Sequence, residues 1–122
     1  MKYLILMQVD PAVLEQLTDE QQKQIQEGHA AFMAATKESG EFIATQALAD
    51  PSQSKVVRSS GGSPEVTDGP FAESKEFMGG FYFIDVDSEA RAVELAKRIP
   101  DASIPGLALE LRPVMFTDLG DQ

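Results

Sequence analysis

Residues 80–86 read GFYFIDV and form the strongest predicted strand of the chain. Because successive side chains of a strand point to opposite faces, Tyr82 and Ile84 lie on one face. Phe81 and Phe83 lie on the other, so both faces of the strand are apolar. A sheet built on this strand needs a cover on each side, since a contiguous apolar face of that size is rare on a monomer.

Periodic patterns on either side of this strand predict the remaining elements. A capping box at Thr18 and Gln21 begins one helix, and Gly40 follows its last turn. Apolar residues at helical spacing from Ala92 to Ile99 predict a second helix. In chain order, the sequence predicts a strand over 2–9, a helix over 18–39, a strand over 42–48, a hairpin over 55–59 and 65–67, the strand over 80–86, a helix over 88–99 and a strand over 107–114.

This order of elements predicts one α+β domain over residues 1–122. The arrangement is ferredoxin-like, with two helices on one face of an antiparallel sheet and an inserted hairpin. Two helices cover only one face of the sheet. A second copy, packed sheet against sheet about a two-fold axis, covers the other and gives a dimeric α+β barrel. The alternative is a monomer whose hairpin folds over the second face.

The composition narrows the class of protein. The chain carries 20 acidic and 10 basic residues, and a net charge of −10 argues against a nucleic-acid partner. With no cysteine and one histidine, one chain cannot form a thiolate or His-rich metal site. An all-carboxylate Mg²⁺ site is the remaining alternative, but no acidic cluster has a known loop spacing, so we expect no metal and no cofactor. No apolar run approaches the ~20 residues of a membrane span, and residues 1–9 lack a signal-peptide cleavage site. We therefore expect a cytoplasmic homodimer without a membrane partner.

The only histidine, His29, is the first candidate for chemistry. It lies on the same helical stripe as Phe32 and Met33, directly after Gly28. A glycine inside a helix costs ~1 kcal/mol relative to alanine, so this one needs a structural reason. In one interpretation Gly28 leaves room for a pocket, in which the imidazole acts on a ligand near neutral pH. In the other, His29 is a partly buried residue that bonds a backbone carbonyl.

The segment 68–76, DGPFAESKE, is the second candidate. Its charged and aromatic side chains are candidates for binding a polar ligand: Asp68, Phe71, Glu73 and Lys75. The structural alternative is a turn that Asp68 caps and Phe71 anchors. In that case we expect Phe71 to be buried beneath the loop or near a dimer seam, while the charges at 73 and 75 stay accessible.

The segment 68–81, in which DGPF precedes AE-x-KE, two glycines and an aromatic strand, resembles the signature of the DGPF family, a branch of the YCII-related proteins. The HAAF motif at 29–32 is similar to the helix that carries the histidine of YCII-like proteins. Ala49-Asp50-Pro51 is similar to the loop that carries their aspartate. The resemblance implies a dimeric α+β barrel in which Asp50 assists His29 in acid–base catalysis. The other interpretation of Asp50 is a turn-starting residue before proline.

The chain departs from the family pattern shortly before its last strand. Relatives often carry a histidine or another polar group there, whereas Ile104 and Pro105 occupy that place here. A catalytic group at that position is therefore not expected.

Two functions follow from these candidates. The first is an enzyme in which His29 and Asp50 act as general acid or base on a small polar metabolite, bound between the first helix and the sheet. The alternative is a non-catalytic regulatory or accessory protein, because DGPF-type chains are often encoded beside alternative sigma factors. The acidic net charge would then suit a basic protein partner.

Overall fold

The computed structural model of the chain describes residues 1–72 and 74–120. Over these residues, in chain order, the elements are β1 (Lys2–Val9), α1 (Pro11–Glu15), α2 (Asp19–Ser39), β2 (Phe42–Ala47), the first 3₁₀ turn (Pro51–Gln53), β3 (Lys55–Ser60), β4 (Ser63–Asp68), β5 (Phe77–Asp85), α3 (Glu89–Lys97), the second 3₁₀ turn (Pro100–Ser103) and β6 (Leu107–Pro113). Within the described ranges, none of the helices is long and apolar enough to cross a membrane.

Four strands form an antiparallel sheet in the order β2-β5-β1-β6, while β3 and β4 form a separate hairpin. Both long helices pack on the same face of this sheet, because Phe32 of α2 and Leu95 of α3 share one core cluster with Ile5 and Ile84. This strand order with helices on one face is the ferredoxin-like α+β arrangement, so the predicted fold class is confirmed.

The core lies between the two long helices and the central strands β1 and β5. Its largest fully buried side chains, each at most 1% exposed, are Ile5, Ile84, Leu95 and Ile99. The register places Ile5 opposite Tyr82, so the apolar sides of β1 and β5 point toward the helices together. Burying a side chain of this size contributes roughly 1.5–3 kcal/mol, and this burial holds α3 against the sheet.

The ends of α2 follow from short-range side-chain chemistry. The backbone N–H of Gln21 donates to the Thr18 hydroxyl over 3.1 Å, and the N–H of Thr18 donates to the Gln21 side chain over 2.9 Å. Gly40 ends the helix with a φ of 82°, a conformation that favours glycine. The predicted capping box and the predicted terminal glycine are therefore both confirmed.

The short helix α1 was not predicted from the sequence. The Asp10 carboxylate accepts a hydrogen bond from the N–H of Ala12 over 2.9 Å, and Pro11 occupies the first turn. Both features are favourable at a helix start. The sequence does not reveal this helix start, because Asp10-Pro11 directly after a strand is also the pattern of a simple turn.

The β3–β4 hairpin does not fold over the second face of the sheet. Val57 and Val66 face each other across the hairpin and are 65% and 63% exposed. A hairpin that covered the sheet would bury one of its own faces, so the structure argues against the monomer alternative.

The second face of the sheet is apolar at its centre and charged at one edge. Leu6 lies opposite Phe81 on β5 and opposite Glu110 on β6. Glu110 and Arg112, which the sequence places on one face, form an exposed ion pair of 3.1 Å. A pair this exposed adds little stability. Its position shows that the charged edge of this face lies along β6.

The packing of α3 leads to a first prediction. Leu95→Ala should lower the free energy of unfolding by about 2–5 kcal/mol, because it leaves a cavity in a fully packed site. Val93→Ala is the matched control on the same helix, since Val93 is 39% exposed and its loss should cost under about 0.5 kcal/mol. Urea unfolding followed by circular dichroism measures both, and equal losses would contradict this arrangement of the core.

Candidate active site

His29 lies on the face of α2 that meets the sheet, and both of its ring nitrogens have side-chain partners. Nδ1 is 2.6 Å from the hydroxyl oxygen of Tyr82, and Nε2 is 3.0 Å from Oδ1 of Asp101. The His29 side chain is 21% exposed and that of Asp101 is 7% exposed. We call these three residues the His29 cluster. The cluster is largely withdrawn from water, and His29 is its most exposed member.

Three separate elements supply the His29 cluster. α2 carries His29, the central strand β5 carries Tyr82, and the second 3₁₀ turn carries Asp101. Phe32, about one turn after His29 on α2, packs against the Tyr82 ring with centroids 4.6 Å apart and a tilt of 58°. This contact holds the phenol beneath the helix, where its hydroxyl reaches the imidazole.

Gly28 allows the second 3₁₀ turn to approach α2. A Cβ atom at this position would overlap the ring of Pro100, the first residue of that turn. One of the two interpretations from the sequence placed a pocket at Gly28, whereas Pro100 occupies the space directly beside this glycine. The glycine therefore acts on the site indirectly, because it brings Asp101 within reach of His29.

The hydrogen-bond partners define the tautomer of His29. The carboxylate of Asp101 only accepts hydrogen bonds, so Nε2 carries the proton of the neutral imidazole. Nδ1 is then an acceptor, and the Tyr82 hydroxyl donates to it. The cluster is a directed chain in which Tyr82 donates to His29 and His29 donates to Asp101.

Tyr82 remains protonated over the ordinary pH range. Burial disfavours the phenolate and raises the pKa of Tyr82 to about 12, with a further contribution from the negative charge of Asp101. The hydroxyl is therefore a standing donor toward Nδ1 at neutral pH.

The His29 cluster lines a cavity of about 320 Å³ between α2 and the sheet. The exposed surface of the cavity wall is mainly apolar. Its lining residues are Met7, Val9, His29, Met33, Thr45, Gln46, Ala47, Gly79, Tyr82 and Asp101. This volume lies at the lower end of the range for small-molecule sites. The cavity therefore suits a compact ligand with an apolar body and a few polar groups.

The carboxylate that bonds His29 is Asp101 and not the predicted partner Asp50. Asp50 is exposed and begins the first 3₁₀ turn, where its Oδ1 accepts the N–H of Ser52 over 2.9 Å. Hydrogen bonds from Ser52 also lower the pKa of Asp50. This is the turn-starting role that was the second interpretation of Asp50. The residue lines a neighbouring cavity of about 560 Å³ beside Phe71.

The DGPF segment lies apart from the residues that line the His29 cavity. Asp68 forms an exposed ion pair with Lys55, Lys75 is exposed, and Glu73 lies outside the described residues. Phe71 is 74% exposed within the chain, so the expectation that it is buried beneath its own loop is wrong. The guanidinium of Arg58 lies over the Phe71 ring, 4.9 Å from its centroid. The ring therefore makes a cation–π contact at the surface in place of the expected burial.

Sequence reasoning missed both Asp101 and Tyr82 as partners of His29. The alternation in β5 placed Tyr82 on the same face as Ile84, but strand periodicity does not indicate what a hydroxyl group bonds. Asp101 follows the predicted helix stop at Pro100, where an acidic residue is also an ordinary turn residue. The unexplained glycine before His29 was the one available sign of a close contact at this point of the helix.

The fold and the site define a small ferredoxin-like α+β protein with a histidine bonded between a carboxylate and a phenol. The chain belongs to the family of the YCII-related domain, whose model matches residues 1–115. An uncharacterised protein of Rhizobium meliloti is 29% identical over 121 residues, which cover 99% of this chain and 98% of the relative.

A solved structure is also similar to the chain. It is the 5-chloro-2-hydroxyhydroquinone dehydrochlorinase of Burkholderia phenoliruptrix, in complex with 2,5-dihydroxybenzoquinone. The TM-score is 0.48 at 13% identity, over 96% of each chain.

The close contact at Gly28 gives a second prediction. In an ordinary helix, Gly→Ala stabilises by about 1 kcal/mol, but Gly28→Ala should lower the melting temperature because the new methyl group displaces Pro100. Thermal unfolding by calorimetry measures the change. Adding Pro100→Ala should restore part of the loss, since it removes the ring that the methyl group meets. A higher melting temperature for Gly28→Ala alone would show that the close approach is not required.

The raised pKa of Tyr82 gives a third prediction. The phenol loses its proton near pH 10 in the unfolded chain but near 12 in the folded one, so its contribution to stability is complete below pH 10. That contribution is lost as the pH rises from about 10 to 12, because the unfolded chain releases the proton first. Urea unfolding across this range should show a flatter decline for Tyr82→Phe than for the unmodified protein. If the loss of stability between about pH 10 and 12 is the same in Tyr82→Phe, the raised pKa of Tyr82 is contradicted.

Proposed function

We propose that this protein is an enzyme that moves a proton on a small metabolite, with the His29 cluster as its acid–base centre. One observation carries the proposal. The only histidine of the chain is held between Asp101 and Tyr82 on the wall of a cavity that suits a small molecule. A structural histidine requires a hydrogen-bond partner but no adjoining cavity.

Asp101 has two effects that favour acid–base work. Its hydrogen bond to Nε2–H holds the imidazole in one tautomer and orientation, with the basic nitrogen directed toward Tyr82. Its negative charge also stabilises the imidazolium that forms when the site takes up a proton. The carboxylate can do this efficiently because both side chains are largely shielded from water.

The cavity supports a compact and uncharged substrate. Its residues comprise methionine, valine, alanine and glycine beside Thr45 and Gln46, and none of the described lining residues is a lysine or an arginine. Asp101 adds a negative charge to the wall, which disfavours an anion. A small carbonyl or hydroxy compound, open-chain or cyclic, meets both conditions.

The working assembly in this proposal is a homodimer. The proposal also places the chain in the DGPF branch of its family, which the resemblance of the segment 68–81 supports. The exposed apolar residues Val57, Val66 and Phe71 support the dimer, because their exposure is unfavourable in a single chain. In this arrangement the second sheet face is covered by its copy, and Phe71 is buried at the seam between the copies.

Solvent deuterium exchange tests the acid–base centre directly. Cyclohexanone and related small neutral ketones serve as probes, with exchange at the carbon beside the carbonyl followed by NMR. We expect the protein to accelerate exchange, and His29→Gln to remove about 10²–10⁴-fold of the acceleration. Asp101→Asn should reduce it as well, since the amide supports the wrong tautomer.

Glu27→Gln is the matched control, because Glu27 is an exposed residue of α2 whose ion-pair contact is with Lys23. It should leave exchange unchanged. Acceleration that persists in His29→Gln would reject the acid–base centre. Full cellular function of that variant would then favour the regulatory alternative.

A further inference from the structure

We propose that Tyr82, rather than His29, is the group that exchanges the proton with the bound substrate, while His29 holds the proton in transit. The inference rests on the proposed function and specifies how the same site performs it. The substrate class is a neutral carbonyl compound whose acidic C–H or O–H group contacts the Tyr82 hydroxyl.

The geometry of His29 carries the inference. Both ring nitrogens have a side-chain partner, Nδ1 the Tyr82 hydroxyl at 2.6 Å and Nε2 the Asp101 carboxylate at 3.0 Å. A ligand in the cavity therefore cannot bond either nitrogen without displacing one of these partners. The basic nitrogen is reached through the hydroxyl that already covers it.

The Tyr82 hydroxyl can accept a further hydrogen bond, whereas both ring nitrogens of His29 already have partners. Within the described part of the chain its hydrogen-bond partner is Nδ1 of His29, and a phenol oxygen keeps lone pairs that accept from a further donor. The residue is 2% exposed, and its ring pairs with both Phe32 and the stacked imidazole, whose centroid is 5.8 Å away. Tyr82 is thus fixed in place on the wall of the cavity.

The proposed step balances without any further reactant. The substrate X–H bond breaks, X keeps the electron pair, and the proton binds the Tyr82 oxygen. In the same step the original hydroxyl proton moves to Nδ1 of His29. Tyr82 stays neutral, and the new imidazolium is paired with the carboxylate of Asp101. Reversal of the two transfers returns a proton to another atom of the substrate, which gives an isomerisation.

Tyr82→Phe separates this relay from direct action by His29. We expect the ketone exchange rate to fall at least as far as in His29→Gln, because the path to Nδ1 is lost. Tyr3→Phe is the matched control, since Tyr3 is a buried tyrosine on the same face of the sheet, 3% exposed. If exchange persists or rises in Tyr82→Phe but is lost in His29→Gln, the relay is rejected and the proposed function stands. If the unmodified protein accelerates no exchange, both fail.

A second measurement distinguishes proton transfer from a packing role. In the Tyr3→Phe background, biosynthetic 3-fluorotyrosine places a more acidic phenol at position 82 alone. The alkaline limb of the exchange profile should then move to lower pH if the phenol transfers the proton. An unshifted profile would overturn the relay. The ¹⁵N shifts of His29 should also show the Nε2–H tautomer, and an Nδ1–H tautomer would contradict the direction of the chain.

Discussion

The pairing of β1 with β5 is the interaction on which the rest of the structure depends. Ile5 and Ile84 point from these strands into the same core and are fully buried, so the helices have one apolar surface to cover. The same register places Tyr82 opposite Ile5, directly below α2. The position of the phenol in the site is therefore set by the central strand pair that also stabilises the fold.

A second constraint connects α2 to the segment before β6. Glycine at position 28 is unfavourable for the helix, but its missing side chain lets Pro100 lie against α2. Asp101 follows Pro100 directly in the chain. The cost to the helix is local, while the gain is the placement of a carboxylate beside His29. Stability and site geometry are thus coupled at one contact, because an ordinary helical residue at this position would separate the turn from the helix.

The burial of the His29 cluster determines its protonation behaviour. Tyr82 is held far from ionisation by desolvation and by the charge of Asp101, so it remains a donor at neutral pH. The carboxylate of Asp101 offers only acceptor oxygens, so the imidazole between them has one defined tautomer. The same three groups in water would exchange partners freely and would give no preferred direction to a proton.

The sequence by itself determined the features that depend on neighbouring residues. The alternation in 80–86 predicted a strand with two apolar faces, Thr18 and Gln21 predicted the start of α2, and Gly40 predicted its end. The ferredoxin-like order followed from these elements, and the lone histidine was placed on the correct helix face. Each of these results rests on periodicity or capping chemistry that acts within a few residues.

Only the tertiary structure decided which side chains meet. Asp101 is 72 positions from His29 and Tyr82 is 53 positions away, so no local pattern links them. Asp50 resembled the aspartate of YCII-like proteins more closely, yet its carboxylate bonds a backbone N–H of its own turn. Asp101 is brought to the helix because Gly28 lets Pro100 approach α2. The exposure of Phe71 within the chain likewise depends on where the hairpin lies, because burial is a property of the assembled fold and not of the loop's own composition.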